Sequence, residues 1–342
     1  MQYRRLGASG VEVSTLCLGA MMFGAWGNED EQECHRIVGE ALDAGVNFVD
    51  TADVYAQGQS EEILGRALRG RRDDVVLATK FHEPMGTDRN RRGNSRRWIT
   101  QAVEGSLRRL GTDWIDLYQV HRPDPDTDVD ETLGALSDLV RQGKVRMIGT
   151  SAFPAERIVE AQWVAERRHR ERFTTEQTGY SIMARGAEAA ALPTSLRHRL
   201  GVLVYSPLNG GWLTGKYRTA QIPDDSRAGR NGDHFDFRDA QIRDRKLELV
   251  GRLQELADSA GLTLIELALG FVLSHPAVTS AIMGPRTLAQ LRSQLGAGSR
   301  GPLPADVLDR IDELVAPGHT VNPADAGYRP LELTEAARRR RG

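Results

Sequence analysis

Asp50, Tyr55, Lys80 and His121 are the residues in this chain whose types and spacing could do proton chemistry. Asn47–Val49, Val75–Thr79 and Trp114–Val120 each read as a short apolar strand, and each ends in an ionisable residue: Asp50, Lys80 and His121. Tyr55 follows Asp50 in a loop that leads to a helix. A carboxylate at the end of a buried strand is costly unless a cation meets it, and Lys80 arrives one unit later. Tyrosine titrates near pH 10 and is a poor proton donor at neutrality. An ammonium about 4 Å away, at an effective dielectric of about 20, favours tyrosinate by roughly 4 kcal/mol. That is about 3 pH units, enough to bring the phenol toward neutrality. Asp50 would hold Lys80 charged, and His121 would hydrogen-bond and orient a carbonyl oxygen. Such a group suits protonation of an oxygen on which negative charge develops, as in carbonyl reduction.

Each residue alone has an ordinary role: Asp50 as a cap, Tyr55 in packing, Lys80 as a solvated strand end, His121 as a satisfied loop histidine. Complementary charges at successive strand ends reverse the odds. Lysine is also informative here, because Lys80, Lys144, Lys216 and Lys246 are the only lysines and arginine supplies nearly all other positive charge.

The elements that must position these residues repeat as strand and helix. Tyr3–Val13 reads as a hairpin, with turns at Gly7 and Gly10. Strands follow at Ser14–Gly19, to Asp50, to Lys80, to His121, and at Val145–Ser151, Thr174–Gln177, Gly201–Tyr205 and Val278–Met283. Helices are expected over Asp30–Gly45, Ser60–Leu68, from Ser95, over Asp130–Val140, from Pro154, and in one or two pieces over Asp239–Ser274. A short helix is expected after the last strand, and another over Asp306–Val315. Eight strands apolar on both faces predict an α/β fold: a (β/α)8 TIM barrel with an N-terminal β-hairpin and added C-terminal helices. A doubly wound sheet is disfavoured, since no GxGxxG follows the first strand. Residues 1–320 are expected to form a single barrel, and residues 321–342, ending ARRRRG, a partly mobile tail.

A net charge of −2 gives no pull toward nucleic acid or anionic membrane. Cys17 and Cys34 are too few for a disulfide framework and read as buried thiols. No apolar run reaches the roughly 18 residues of a membrane span, and the polar start lacks a signal-peptide segment. A soluble cytoplasmic protein with no metal site is expected.

The chain resembles the aldo-keto reductases from about Tyr3 to Gln294, through DTADVY, SEEILGRAL, VVLATK, LYQVHRPD, GKVRMIGTS, EQTGY, YSPLNGGWLTGKY and IMGPRTLAQL. DVYAQGQSEEILG, RRGNSRRWI and HRPDPDTDVDETL look like the bacterial branch related to potassium-channel beta subunits. The resemblance implies a barrel that binds NADP(H) extended across its mouth. Tyr55 would be the general acid, Lys80 and Asp50 its tuning pair, and His121 the carbonyl orienter. Hydride would pass directly from the nicotinamide to the carbonyl carbon.

For the cofactor, Ser151 and Gln177 end strands and are suited to the nicotinamide carboxamide, and Tyr205 to stacking on the ring. Ser206, Pro207, Leu208, Gly211 and Leu213 lie in a glycine-rich segment whose backbone N–H groups suit a pyrophosphate, with Lys216 adding charge. Met21 joins this set, and Arg227 is expected to close the segment over the cofactor. Gly284 opens a turn, Arg286 suits a 2′-phosphate, and Gln290 and Gln294 are expected to face the adenine. Trp26, Phe81 and His82, with Trp212, are expected in loops lining an apolar substrate pocket. Two positions depart from the family pattern. Ala152 stands where asparagine is frequent after the serine, and Ser293–Gln294 replaces an acidic–asparagine pair. His121 stands where the channel subunits have asparagine, which favours ordinary carbonyl reduction over a nicotinamide-binding sensor or regulatory subunit with slow turnover. The oligomeric state, the natural carbonyl substrate and the direction of reaction are left open.

Overall fold

Apolar runs bounded by glycine and charged residues form the strands of a closed, all-parallel eight-stranded barrel in this computed structural model, which describes residues 1–217, 226, 229, 239–328, 335 and 340. A two-stranded antiparallel hairpin, β1 (Tyr3–Arg5) and β2 (Glu12–Ser14), precedes it. The barrel strands are β3 (Leu16–Gly19), β4 (Phe48–Asp50), β5 (Val76–Phe81), β6 (Ile115–Val120), β7 (Val145–Ser151), β8 (Thr175–Gly179), β9 (Gly201–Tyr205) and β10 (Val278–Met283). They pair in chain order, and β10 closes against β3. Ser14, expected in the first barrel strand, instead ends the hairpin, where it pairs with Tyr3.

Helices cover the outside: α1 (Glu31–Asp43), α2 (Gln59–Ala67), α3 (Arg96–Leu110), α4 (Val129–Arg141), α5 (Ala155–Arg168) and α6 (Ala191–Arg197). α7 (Ala240–Ser259), α8 (Leu264–Ser274), α9 (Leu288–Gly298) and α10 (Ala305–Leu314) follow. Their starts obey local chemistry. Asp30 accepts from the Glu33 N–H at 3.0 Å, Ser95 caps α3, and Thr263 with Glu266 forms a reciprocal capping box on α8. On α1 the buried residues are Cys34, Ile37, Val38, Ala41 and Leu42, the stripe expected from the 3.6-residue period. Each buried branched side chain contributes roughly 1.5–3 kcal/mol. α6 has no counterpart in the sequence reading.

Inside the barrel, Cys17, Phe48, Ala78, Leu117 and Leu203 form one apolar layer, plugged from the amino end by Leu6 and Val13 of the hairpin. Side chains alternate along a strand, so the next inward positions on β4, β5 and β6 are Asp50, Lys80 and Gln119. A polar layer therefore sits on an apolar floor, at the carboxyl end of the strands. Among the described residues no single helix is long and apolar enough to cross a membrane.

Candidate active site

The polar layer is a single hydrogen-bonded unit. Lys80 is fully buried, and its three ammonium N–H groups have three acceptors. These are Asp50 Oδ1 at 2.5 Å, the Thr51 carbonyl at 2.9 Å and the Tyr55 hydroxyl at 3.4 Å. Burial pulls the Lys80 ammonium down, but the charges of Asp50 and Tyr55 and the hydrogen bonds to them outweigh it, so Lys80 holds its proton above the ordinary lysine value. Asp50 Oδ2 accepts from two side-chain amides, Gln119 at 3.1 Å and Gln177 at 3.0 Å. The four ionisable residues picked out in the sequence thus share one rim, and Gln119 belongs with them although sequence reasoning passed over it.

Tyr55 is aimed by an unusual turn. Ala56 and Gln57 both take left-handed backbone angles (φ 48° and 56°), and Gly58 follows at φ 96°. Non-glycine residues in this region cost of order 1 kcal/mol or more each. A Cβ at Gly58 would lie 2.6 Å from Arg109 Cδ, so the turn has room only for glycine. Arg109 is itself held by Glu61 at 2.7 Å. The Tyr55 ring meets His121 edge-on at 5.8 Å between centroids, and the Trp26 ring lies 5.9 Å from it. Burial, then the positive charges of Lys80 and Arg122, push the His121 imidazole well below its ordinary value, so the ring is neutral near pH 7. Its Nδ1 is buried without a partner.

A buried ammonium tied to a carboxylate and reaching a phenol at the carboxyl rim of a β/α barrel is the arrangement the motifs implied. A sequence profile of the Aldo/keto reductase family matches residues 15–316. The chain belongs to the aldo/keto reductase family. Its relatives include an uncharacterized oxidoreductase, YrpG, of Bacillus subtilis, 40% identical over 308 residues (87% of this chain and 91% of that protein). A probable voltage-gated potassium channel subunit beta of Arabidopsis thaliana is 37% identical over 321 residues (92% and 97%). The aldo-keto reductase YhdN of Bacillus subtilis is 36% identical over 298 residues (86% and 87%).

In this family member the positions read as cofactor ligands gather along the same rim. Ser151 and Gln177 stand side by side in register on β7 and β8. Both N–H groups of the Gln177 amide are committed, to Asp50 and to Gln119 Oε1 at 3.4 Å, so its side-chain carbonyl is the group left to accept a hydrogen bond. Tyr205 ends β9, and its buried hydroxyl has no partner. Ser206 and Asn209 are left-handed, as are Gly210 and Gly211, so the segment through Lys216 curls tightly. A Cβ at Gly211 would come within 3.0 Å of Lys216 Cε, so glycine keeps the inside of the curl open. Pro207 and Leu213 are buried, and Leu208 and Met21 half-buried, around it. Beyond Gly284, which has no atom within 4 Å of where its Cβ would be, Arg286 precedes the Thr287 cap of α9. The donor set fits a dinucleotide phosphate. Gln294 is buried. Gln290 turns its side-chain carbonyl back onto the Arg286 N–H at 2.8 Å, closing the helix start. Arg227 lies outside the described residues.

The expected pocket lining is only partly at the rim. Trp26 is 41% exposed beside Tyr55, in a loop tied down by Gln59, whose Oε1 accepts from the Ala25 N–H at 3.0 Å. His82 follows β5 and hydrogen-bonds Asn94 at 2.9 Å. Phe81, by contrast, is the last residue of β5, not a loop residue. Strand alternation turns it outward, fully buried against Tyr118 at 4.9 Å between ring centroids. Trp212 is also buried, packed on Tyr217 with Lys246 over its face. The expected tail from residue 321 begins as a docked segment: the Val321 N–H bonds the Met183 carbonyl, and Asp325 pairs with buried Lys246 at 2.8 Å. Among the described residues no cluster of His, Cys, Asp and Glu is suited to a metal ion.

Proposed function

We propose that the protein is an NADPH-dependent reductase of small aldehydes or ketones, working in the cytoplasm, with Tyr55 as general acid. The observation that carries this reading is the Lys80 ammonium, 3.4 Å from the Tyr55 hydroxyl and 2.5 Å from Asp50. When bound, the dinucleotide supplies hydride to the carbonyl carbon. Negative charge then grows on the carbonyl oxygen, and the Tyr55 O–H gives it a proton as Lys80 stabilises the phenolate left behind. Neutral His121 donates from Nε2 to the same oxygen and sets its direction. Trp26 covers the apolar side of the carbonyl compound and keeps water from it. Ser151 and the Gln177 carbonyl orient the carboxamide, the Ser206–Lys216 segment takes the pyrophosphate, and Arg286 takes the 2′-phosphate.

The test is loss of NADPH absorbance with a panel of small aldehydes, ketones and quinones. Turnover with at least one class is expected. The relatives named as potassium channel beta subunits support a second reading, a nicotinamide-binding regulatory subunit. Tight NADPH binding with no carbonyl turned over would favour that reading instead.

A further inference from the structure

Asp50 is held more elaborately than an ion pair needs. Its Oδ1 takes the Lys80 ammonium, while Oδ2 takes the amides of Gln119 and Gln177, which also touch each other at 3.4 Å. Gln119 is fully buried inside the barrel, two residues before His121. An ionised carboxylate only accepts hydrogen bonds, so the two amides must present N–H to it, and their orientation is set by Asp50. Two donors on one oxygen and an ammonium on the other fix both the position and the plane of the carboxylate. The consequence falls on Tyr55. Lys80 spends all three N–H groups, and the contact to Tyr55 is the longest of the three, so any swing of Asp50 breaks that contact first.

We propose that Gln119 and Gln177 form an amide clamp on Asp50, in which Gln119 is a positioning residue for the Lys80–Tyr55 pair and Gln177 joins the cofactor's carboxamide to that pair. This rests on the reading of the site as a nicotinamide-dependent reductase. The clamp means that a cofactor pulling on the Gln177 carbonyl also loads the carboxylate that aims the general acid. The titratable groups facing this layer are Asp50, Lys80, Tyr55 and His121, with Cys17 below.

Two substitutions separate clamping from mere filling. Gln119→Leu keeps the bulk and loses the donor, and kcat should fall about tenfold to a hundredfold, the cost of small misplacements at a reacting centre, with NADPH affinity within about threefold. Gln119→Glu can replace the amide N–H only while protonated; burial and the neighbouring Asp50 raise the pKa of such an acid. Its kcat should therefore approach that of the unsubstituted protein at acid pH and drop progressively further below it as pH rises, so that the ratio of the two changes with pH. A Gln119→Leu kcat within twofold of the unsubstituted value, or a Gln119→Glu profile parallel to it, would overturn the clamp. On the unsubstituted chain, the Gln119 side-chain amide protons should exchange slowly with solvent and shift when NADP+ is added. Free exchange with no shift would overturn the clamp even if the variants do not fold. Absence of any carbonyl turnover by the unsubstituted protein would count against the reductase reading instead, while the amide signals still decide the clamp.

Discussion

The Lys80 ammonium stands 3.4 Å from the Tyr55 hydroxyl, and the two residues come from successive β/α units whose strands, β4 and β5, pair side by side in the barrel. If that phenol is the proton donor, removing its oxygen should leave the cofactor site intact. Tyr55→Phe should lower turnover by about a hundredfold or more, with NADPH affinity within about twofold. Steady-state kinetics beside a fluorescence titration of NADPH check both numbers. Unchanged turnover would remove Tyr55 from its role.

A second carboxyl group, outside the barrel wall, ties stability to pH. Glu176 on β8 accepts from the Thr150 hydroxyl at 2.6 Å and the Phe153 N–H at 3.1 Å. Burial outweighs these donors and pushes its pKa up to about 8. The unfolded chain releases the same proton near pH 4.3, so the folded state binds it more tightly. Below about pH 4 neither state is ionised and nothing is lost. Between there and about pH 8 the unfolded state ionises first, and stability falls with rising pH. Glu176→Gln cannot ionise and should gain on the unsubstituted protein across that window, by up to a few kcal/mol at its top. Denaturant melts at a series of pH values test this; parallel curves for the two proteins would sink it.

The 2′-phosphate assignment rests on one arginine. The Arg286 main chain is pinned, its N–H by Gln290 and its carbonyl by the Asn28 amide at 2.7 Å, so the residue's placement does not depend on its guanidinium. A charge-assisted bond contributes roughly 1.5–3 kcal/mol. Arg286→Ala should therefore weaken NADPH about tenfold to a hundredfold and leave NADH within about twofold. Equal loss for both dinucleotides would show that Arg286 does not read the phosphate.

What was legible in the sequence was whatever a single period could carry. Asp50, Lys80 and His121 stood out because an apolar run stops at each of them, and a barrel puts all strand ends on one rim. Gln119 did not stand out, because one glutamine inside LYQV looks like a tolerated polar residue; the parity of Leu117, Gln119 and His121 was the signal that would have turned it inward. The same parity turns Phe81 out of the pocket, once β5 runs one residue longer than the apolar run suggested. α6 is under two turns long and carries Pro193, too little for helical periodicity to register. The docked stretch after residue 320 is held by Val321 to Met183 and by Asp325 to Asn209 and Lys246, contacts that lie far apart in sequence and follow no repeat.

Ala152 is where the departure from the family pattern meets the backbone. It sits directly after Ser151 with φ 57°, a left-handed conformation that asparagine tolerates better than alanine. Its N–H bonds the Gln177 main-chain carbonyl at 2.8 Å, a contact any L-residue can keep. Ala152→Asn should therefore relieve roughly 0.5–1 kcal/mol of backbone strain, raising the melting temperature by about 1–2 °C. If the family's asparagine reaches the nicotinamide carboxamide, the new amide should also tighten NADPH by a few fold. A melting curve and a cofactor titration separate the two effects. A gain in stability with unchanged affinity would assign the position to backbone conformation alone, and a loss in both would mean that the left-handed turn after β7 tolerates nothing larger than a methyl group.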